Sequence, residues 1–92
     1  MAYIQIKREF TMPRAKLRKE LDRLAKSMQE QWQLNCAWQS DDCLDFQHSG
    51  AKGRIEIGDH EFELNAKLGL LMSAFKGTIE DEIRKFIDTH VY

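Results

Sequence analysis

The stretch from His60 to Arg84, HEFELNAKLGLLMSAFKGTIEDEIR, decides the fold because its hydrophobic period changes partway along it. Up to Leu68 the apolar residues alternate as Phe62, Leu64, Ala66 and Leu68, the pattern of a strand with one buried face. From Leu71 they recur at helical spacing, as Leu71, Phe75, Ile79 and Ile83. The two sets meet at Gly69. The change of period predicts the last strand of a sheet feeding into a long helix that folds back over it.

Three more alternating runs precede this strand. Leu34, Cys36 and Trp38 alternate before a turn at Ser40-Asp41-Asp42. Leu44, Phe46 and His48 alternate before a two-residue turn at Ser49-Gly50. Ala51, Gly53, Ile55 and Ile57 alternate before a further turn at Gly58-Asp59. Pairing across these turns puts Trp38, Leu44, Ile55 and Phe62 in one row across the sheet. It puts Cys36, Phe46, Gly53 and Leu64 in the next. Every inward position stays inward through all three turns, a demanding test because a one-residue slip inverts a strand. Gly53, between Phe46 and Leu64, makes room for them or for a helix.

The chain before the meander reads as a strand and a helix. Tyr3 to Phe10 forms the strand, with Ile4, Ile6 and Phe10 on one face and Arg8 interrupting it. Thr11 is a candidate N-cap, and Pro13 fits the first helical turn, where a missing N–H costs little. The helix runs to about Trp32 on a stripe of Leu17, Leu21, Leu24, Met28 and Trp32, with Ala25 beside it. Its other faces carry Arg14, Lys16, Arg18, Lys19, Arg23 and Lys26. At about 30 Å in length, it returns the chain along the sheet, so the first strand pairs antiparallel beside the last. The expected fold is α+β, β-α-β-β-β-β-α. Its five-stranded antiparallel sheet has the order 1-5-4-3-2, with both helices on one face. Residues 1–92 make a single domain.

Composition narrows the function classes. Hydrophobic residues at 42% and charged residues at 32% describe a globular chain rather than a disordered one. The net charge of −1 gives no overall attraction to nucleic acid or to an anionic membrane. The charge is uneven, however: residues 11–33 hold six basic and three acidic groups, and residues 34–69 hold three basic and seven acidic. No apolar run spans a bilayer and no signal-peptide core opens the sequence. Cys36 and Cys43 are therefore expected as reduced thiols in a cytoplasm.

No motif carries chemistry. Glu20, Asp22 and Glu30 interrupt the basic helix face, which makes a solvated, locally paired surface its simplest account. Nucleic-acid binding requires aromatics among exposed basic residues, and Trp32 and Trp38 fall on inner faces. His48, His60, His90 and the cysteines lack the paired spacing of a zinc site; His48 caps the end of the inner face. Asp41, Asp42 and Asp45 lie at an open turn, where nothing separates their pKa values for acid–base work. Ser49, Ser73 and Thr78 have no neighbouring base. With Cys36 facing inward and Cys43 at a turn edge, the two thiols are not bonded. The start of the second helix is apolar around more than half its circumference, through Leu70, Leu71, Met72, Ala74 and Phe75. Burial between the sheet and the first helix accounts for most of this. The surplus would support a homodimer or a hydrophobic partner.

The run from Phe62 to Glu80, FELNAKLGLLMSAFKGTIE, resembles the hallmark segment of the polyhydroxyalkanoic acid system proteins, also called polyhydroxyalkanoate granule-region proteins. The opening IQIKREF, the basic helix and the Phe46-to-Ile57 hairpin resemble that family too. Gly77 departs from the family pattern, in which a charged residue is common, and loosens the helix locally. The resemblance implies a bacterial protein tied to polyhydroxyalkanoate synthesis and storage granules. It carries over no catalytic residues and no cofactor. At the level of fold, the element order is similar to an abbreviated helix-grip (START-like) domain, whose larger members hold apolar ligands between sheet and final helix.

The expectation is a non-enzymatic accessory protein in the cytoplasm, at storage granules. It would contact granule surface or synthesis proteins through Leu70 and Met72, with Arg14 and Arg18 on the basic face. The alternative is a carrier of an acyl chain in a START-like groove. An enzyme ranks last, since the inner face offers only His48, Cys36 and Arg8.

Overall fold

The computed structural model describes residues 2–48 and 50–92. Its elements run β1 (Ala2–Glu9), α1 (Arg14–Trp32), β2 (Asn35–Ser40), β3 (Cys43–His48), β4 (Ala51–Ile57), β5 (Glu61–Leu68), α2 (Leu70–Ser73) and α3 (Lys76–His90). The strands form a five-stranded antiparallel sheet in the order β1-β5-β4-β3-β2. The fold is α+β as expected, with β1 beside β5. The helices pack on one face, α3 against β1 and α1 against β2. One continuous core unites Ile4 and Ile6, Leu17, Leu21 and Met28, Ile55 and Leu64, and Ile79, Ile83 and Ile87.

The cross-strand rows differ from expectation at the last hairpin. Trp38, Leu44 and Ile55 form a row as predicted, but its next member is Leu64, followed by Ile6. Phe62 instead faces Ile57. The connection is four residues long, Gly58 to Glu61, closed by the Gly58 N–H donating to the Glu61 carbonyl at 2.7 Å. Lengthening a turn by two residues shifts the register by two, which keeps every side chain on its face. Ser49, expected in the turn with Gly50, lies outside the described residues, and the flanking pair His48–Ala51 holds the predicted register.

Gly53 faces Phe46 on one side and Ala66, not Leu64, on the other. A Cβ at Gly53 would stand 2.3 Å from Phe46 Cζ, so the absent side chain is the space that the Phe46 ring fills.

Two helix boundaries also differ. Thr11 does not cap α1: Pro13 precedes the first helical residue, and no side chain caps it. The Thr11 and Met12 N–H groups instead donate to the Tyr92 carbonyl, at 2.8 and 2.9 Å. The long second helix is two helices. α2 ends after a single turn at Ser73, whose hydroxyl donates back to the Gly69 carbonyl at 2.7 Å. α3 begins afresh at Lys76 after Phe75, again with no side-chain cap.

Candidate functional site

The interruption at Ala74–Phe75 sets which side chains reach solvent at this end of the molecule. A continuous helix would bury Leu71 and Phe75 in line with Ile79 and Ile83. The break changes the helical phase, and only Ile79, Ile83 and Ile87 enter the core. Leu70 and Leu71 are each 84% exposed and Phe75 is 55% exposed. The expected burial of Leu71 and Phe75 is therefore overturned. Three exposed apolar side chains are thus gathered within one helical turn and its connection. Covering a Leu side chain recovers about 1.5–3 kcal/mol.

Met72 turns the other way. It is half-buried against the core, and it rests on the β3–β4 turn, where a Cβ at Gly50 would come within 2.8 Å of Met72 Cγ. The Gly69 N–H donates to the Gly50 carbonyl at 2.7 Å and ties the same two segments. Of the two apolar contact residues expected from the sequence, Leu70 is thus open and Met72 anchors the turn that presents it.

Arg14 and Arg18 lie at the opposite end of the molecule and are engaged within the chain. Arg14 pairs with Asp42 and donates to the Gly58 carbonyl at 3.1 Å. Arg18 lies 4.6 Å over the Trp38 ring, with Asp41 at 3.9 Å. Trp38 in turn donates from Nε1 to Asp22 at 3.3 Å. The expected basic contact face is thereby partly drawn onto the acidic β2–β3 turn. Lys16, Lys19, Arg23 and Lys26 remain exposed along α1.

The residues considered for chemistry do not converge. Arg8 pairs with Asp88 of α3. Cys36 donates to the Ala25 carbonyl at 3.6 Å, and burial followed by the nearby Asp22 raises its thiol pKa. Cys43 is also raised, chiefly by burial and with Asp45 adding to it, although Arg54 pulls the other way. Both are free thiols poorly suited to forming a thiolate. The hydrogen bond from Arg54 holds Asp45 below the ordinary carboxylate range. His48 is exposed at the end of β3. Among the described residues no three His, Cys, Asp or Glu gather to hold a metal ion, and no helix is long and apolar enough to cross a membrane.

The space between sheet and helices is occupied by the chain itself. Phe62, Leu64, Ile83 and Ile87 are buried in the same cluster. A hollow of about 580 Å³ lies on the other face of the sheet, beside Tyr3, Gln5, Gln47, Lys52, Arg54 and Lys67. A smaller groove of about 220 Å³ runs between α1 and α3, past Met28, Trp32 and Phe86.

The sequence model of a family described as "Putative polyhydroxyalkanoic acid system protein" matches residues 4–91, nearly the whole chain. No curated protein and no solved structure matches it.

Proposed function

We propose a function for the chain from the premise that it belongs to the polyhydroxyalkanoic acid system protein family: it is a non-enzymatic accessory protein of polyhydroxyalkanoate metabolism that works by surface contact. The observation that carries this is the open apolar turn of Leu70, Leu71 and Phe75. Polyhydroxyalkanoate is an aliphatic polyester, and a granule of it offers an apolar surface. Three exposed apolar side chains on one turn can enter such a surface without unfolding the core behind them. The binding strength scales with the apolar area covered.

The attachment differs from that of an amphipathic helix lying flat on a surface. α2 is a single turn, so contact is confined to one end of the molecule. Met72, set against Gly50, holds the turn in place. The exposed Lys16 and Lys19 of α1 stay open to a protein of the synthesis machinery.

Co-sedimentation of the purified protein with isolated granules tests this reading. The parent chain should pellet with granules, and Leu70→Ser/Leu71→Ser should remain in the supernatant. If the parent fails to co-sediment and captures no granule-synthesis protein, the proposal is lost. The acyl-chain carrier is the weaker alternative, because Phe62 and Leu64 are buried in one core with Ile83 and Ile87 of the last helix. Its test is titration with a fluorescent fatty acid, for which no saturable binding is expected.

A further inference from the structure

The face of the sheet turned away from the helices carries ordered rows of side chains. One row runs Gln47, Lys52, Lys67, Tyr3. The middle row runs Asp45, Arg54, Asn65, Gln5. The third runs Cys43, Glu56, Glu63, Lys7, and beyond it Glu61 faces Glu9. Charges in the middle row are satisfied within the sheet, since Arg54 Nε donates to Asp45 at 2.7 Å. Among the described residues the lysines at one end have no such partner; at the other end Glu56 has Arg54 at 3.9 Å, and Glu63 has Lys7 at 3.9 Å and accepts from Asn65 at 2.8 Å. Lys52 stands directly opposite Lys67, and Glu56 directly opposite Glu63. Like charges placed so destabilise a sheet.

The placement is symmetric along the strands. On β4, Lys52 and Glu56 lie two residues to either side of Arg54; on β5, Lys67 and Glu63 lie two residues to either side of Asn65. Lys7 pairs with Glu61 at 3.7 Å and Glu63 at 3.9 Å, dividing one positive charge between two carboxylates. The hollow of about 580 Å³ opens beside the lysine row.

We propose that this face is a two-fold interface with a second copy of the chain, the glutamate row of each copy seated against the lysine row of the other. The axis lies in the plane of contact, along the Arg54–Asn65 row. Rotation about it turns the face over and exchanges its ends. Lys52 then meets Glu56 of the second copy, and Lys67 meets Glu63. Each like-charge pair then faces two opposite charges, while Arg54, on the axis, lies over Arg54 of the second copy with each already neutralised by its own Asp45. An axis along the strands would set lysine over lysine and is excluded by the same charges. A small anion would satisfy the lysines alone and leave Glu56 and Glu63 opposed.

The area available limits the strength. Strands about 4.8 Å apart and about 20 Å long give roughly 500 Å² per copy, below the roughly 800 Å² per partner of a stable complex. The dimer is therefore weak and sensitive to salt. It uses a different face from the Leu70–Phe75 turn and stands independently of granule binding.

Sedimentation equilibrium of the intact chain at low and high sodium chloride tests the inference. The expected result is a monomer–dimer equilibrium whose Kd weakens roughly tenfold or more as salt is raised. Lys52→Glu/Lys67→Glu should be monomeric, as should Glu56→Lys/Glu63→Lys. An equimolar mixture of the two should form a heterodimer, because the reversed charges match again. Circular dichroism establishes that each variant is folded, and the salt titration of the parent needs no variant. A parent that is monomeric in low salt overturns the inference. So does a dimer that survives the lysine reversal, or one lost only in Leu70→Ser/Leu71→Ser. A monomer whose Lys52 and Lys67 resonances shift with added pyrophosphate gives the face to an anion and overturns it equally.

Discussion

The two ends of the molecule are closed in opposite ways. At the end where β1 passes into α1, the polar groups of the connection find partners far along the chain. Phe10 donates to the His60 carbonyl at 2.9 Å, Thr11 and Met12 to that of Tyr92, and Arg14 to that of Gly58. At the end where β5 passes into α2, the hydrogen bonds of the turn are short-range apart from the Gly69 N–H on the Gly50 carbonyl. Ser73 N–H bonds back to Gly69 and Phe75 N–H to Met72, while Leu70 and Leu71 stand open and Phe75 is more than half exposed. Polar groups in a connection can be satisfied by any nearby carbonyl or carboxylate, so the first end is complete in the isolated chain. Apolar surface is satisfied only by cover, which the second end leaves to something else.

The largest expected effect falls on the open end. Leu70→Ser/Leu71→Ser/Phe75→Ser should weaken granule binding by about a hundredfold or more, from the loss of several kcal/mol of apolar contact. Its unfolding free energy should stay within about 0.5 kcal/mol of the parent, since surface substitutions away from packed features do little. Granule sedimentation and urea unfolding on the same preparations measure both, and a large loss of stability would show that the turn is structural. At the closed end the reverse is expected. Omitting Val91 and Tyr92 removes the carbonyl that Thr11 and Met12 share together with the half-buried Val91. This should cost about 2–3 kcal/mol in urea unfolding without changing the granule affinity of the folded protein.

Smaller changes sharpen the contrast. Arg14→Ala should cost about 0.5–1 kcal/mol, because Arg14 and Asp42 are both partly solvated, and most of that loss should vanish in high salt. Gly77→Ala should add about 0.5–1 kcal/mol. A Cβ there meets nothing within 4 Å, and alanine firms the first turn of α3. Granule affinity should be unchanged in this variant, because Gly77 lies outside the Leu70–Phe75 turn.

Much of the fold was legible because the strand pattern is self-checking. Alternation over four runs fixes which side chains face inward, and turns that differ by two residues leave that assignment intact. The error at β4–β5 is of this kind: Phe62 remains inward but faces Ile57 rather than Ile55. The helix error was less forgiving. Leu71, Phe75, Ile79 and Ile83 satisfy a helical period on paper, and nothing in spacing alone reveals a break at Ala74–Phe75 that resets the phase between Leu71 and Ile79. The available signals were Gly77, a weak helix former, and Ser73, which can bond back to the preceding turn. The pairing of Arg14 with Asp42 was not legible at all, because it joins residues brought together only when α1 lies across the β2–β3 turn. Expecting Arg14 and Arg18 to face a partner followed from their helix face alone.

The adjacency of β1 and β5 has a consequence in time. The hairpins from β2 to β5 close over a few residues each, whereas β1 must find a strand about fifty residues further along, and contacts of that separation are slow to form. On a ribosome adding about 5–20 residues per second, Ile4 and Ile6 emerge early and wait several seconds for β5. The strand of this sheet that is made first is then among the last to be placed. During that interval its apolar face depends on the basic, soluble α1 behind it, or on a chaperone, to keep the nascent chain from joining another sheet.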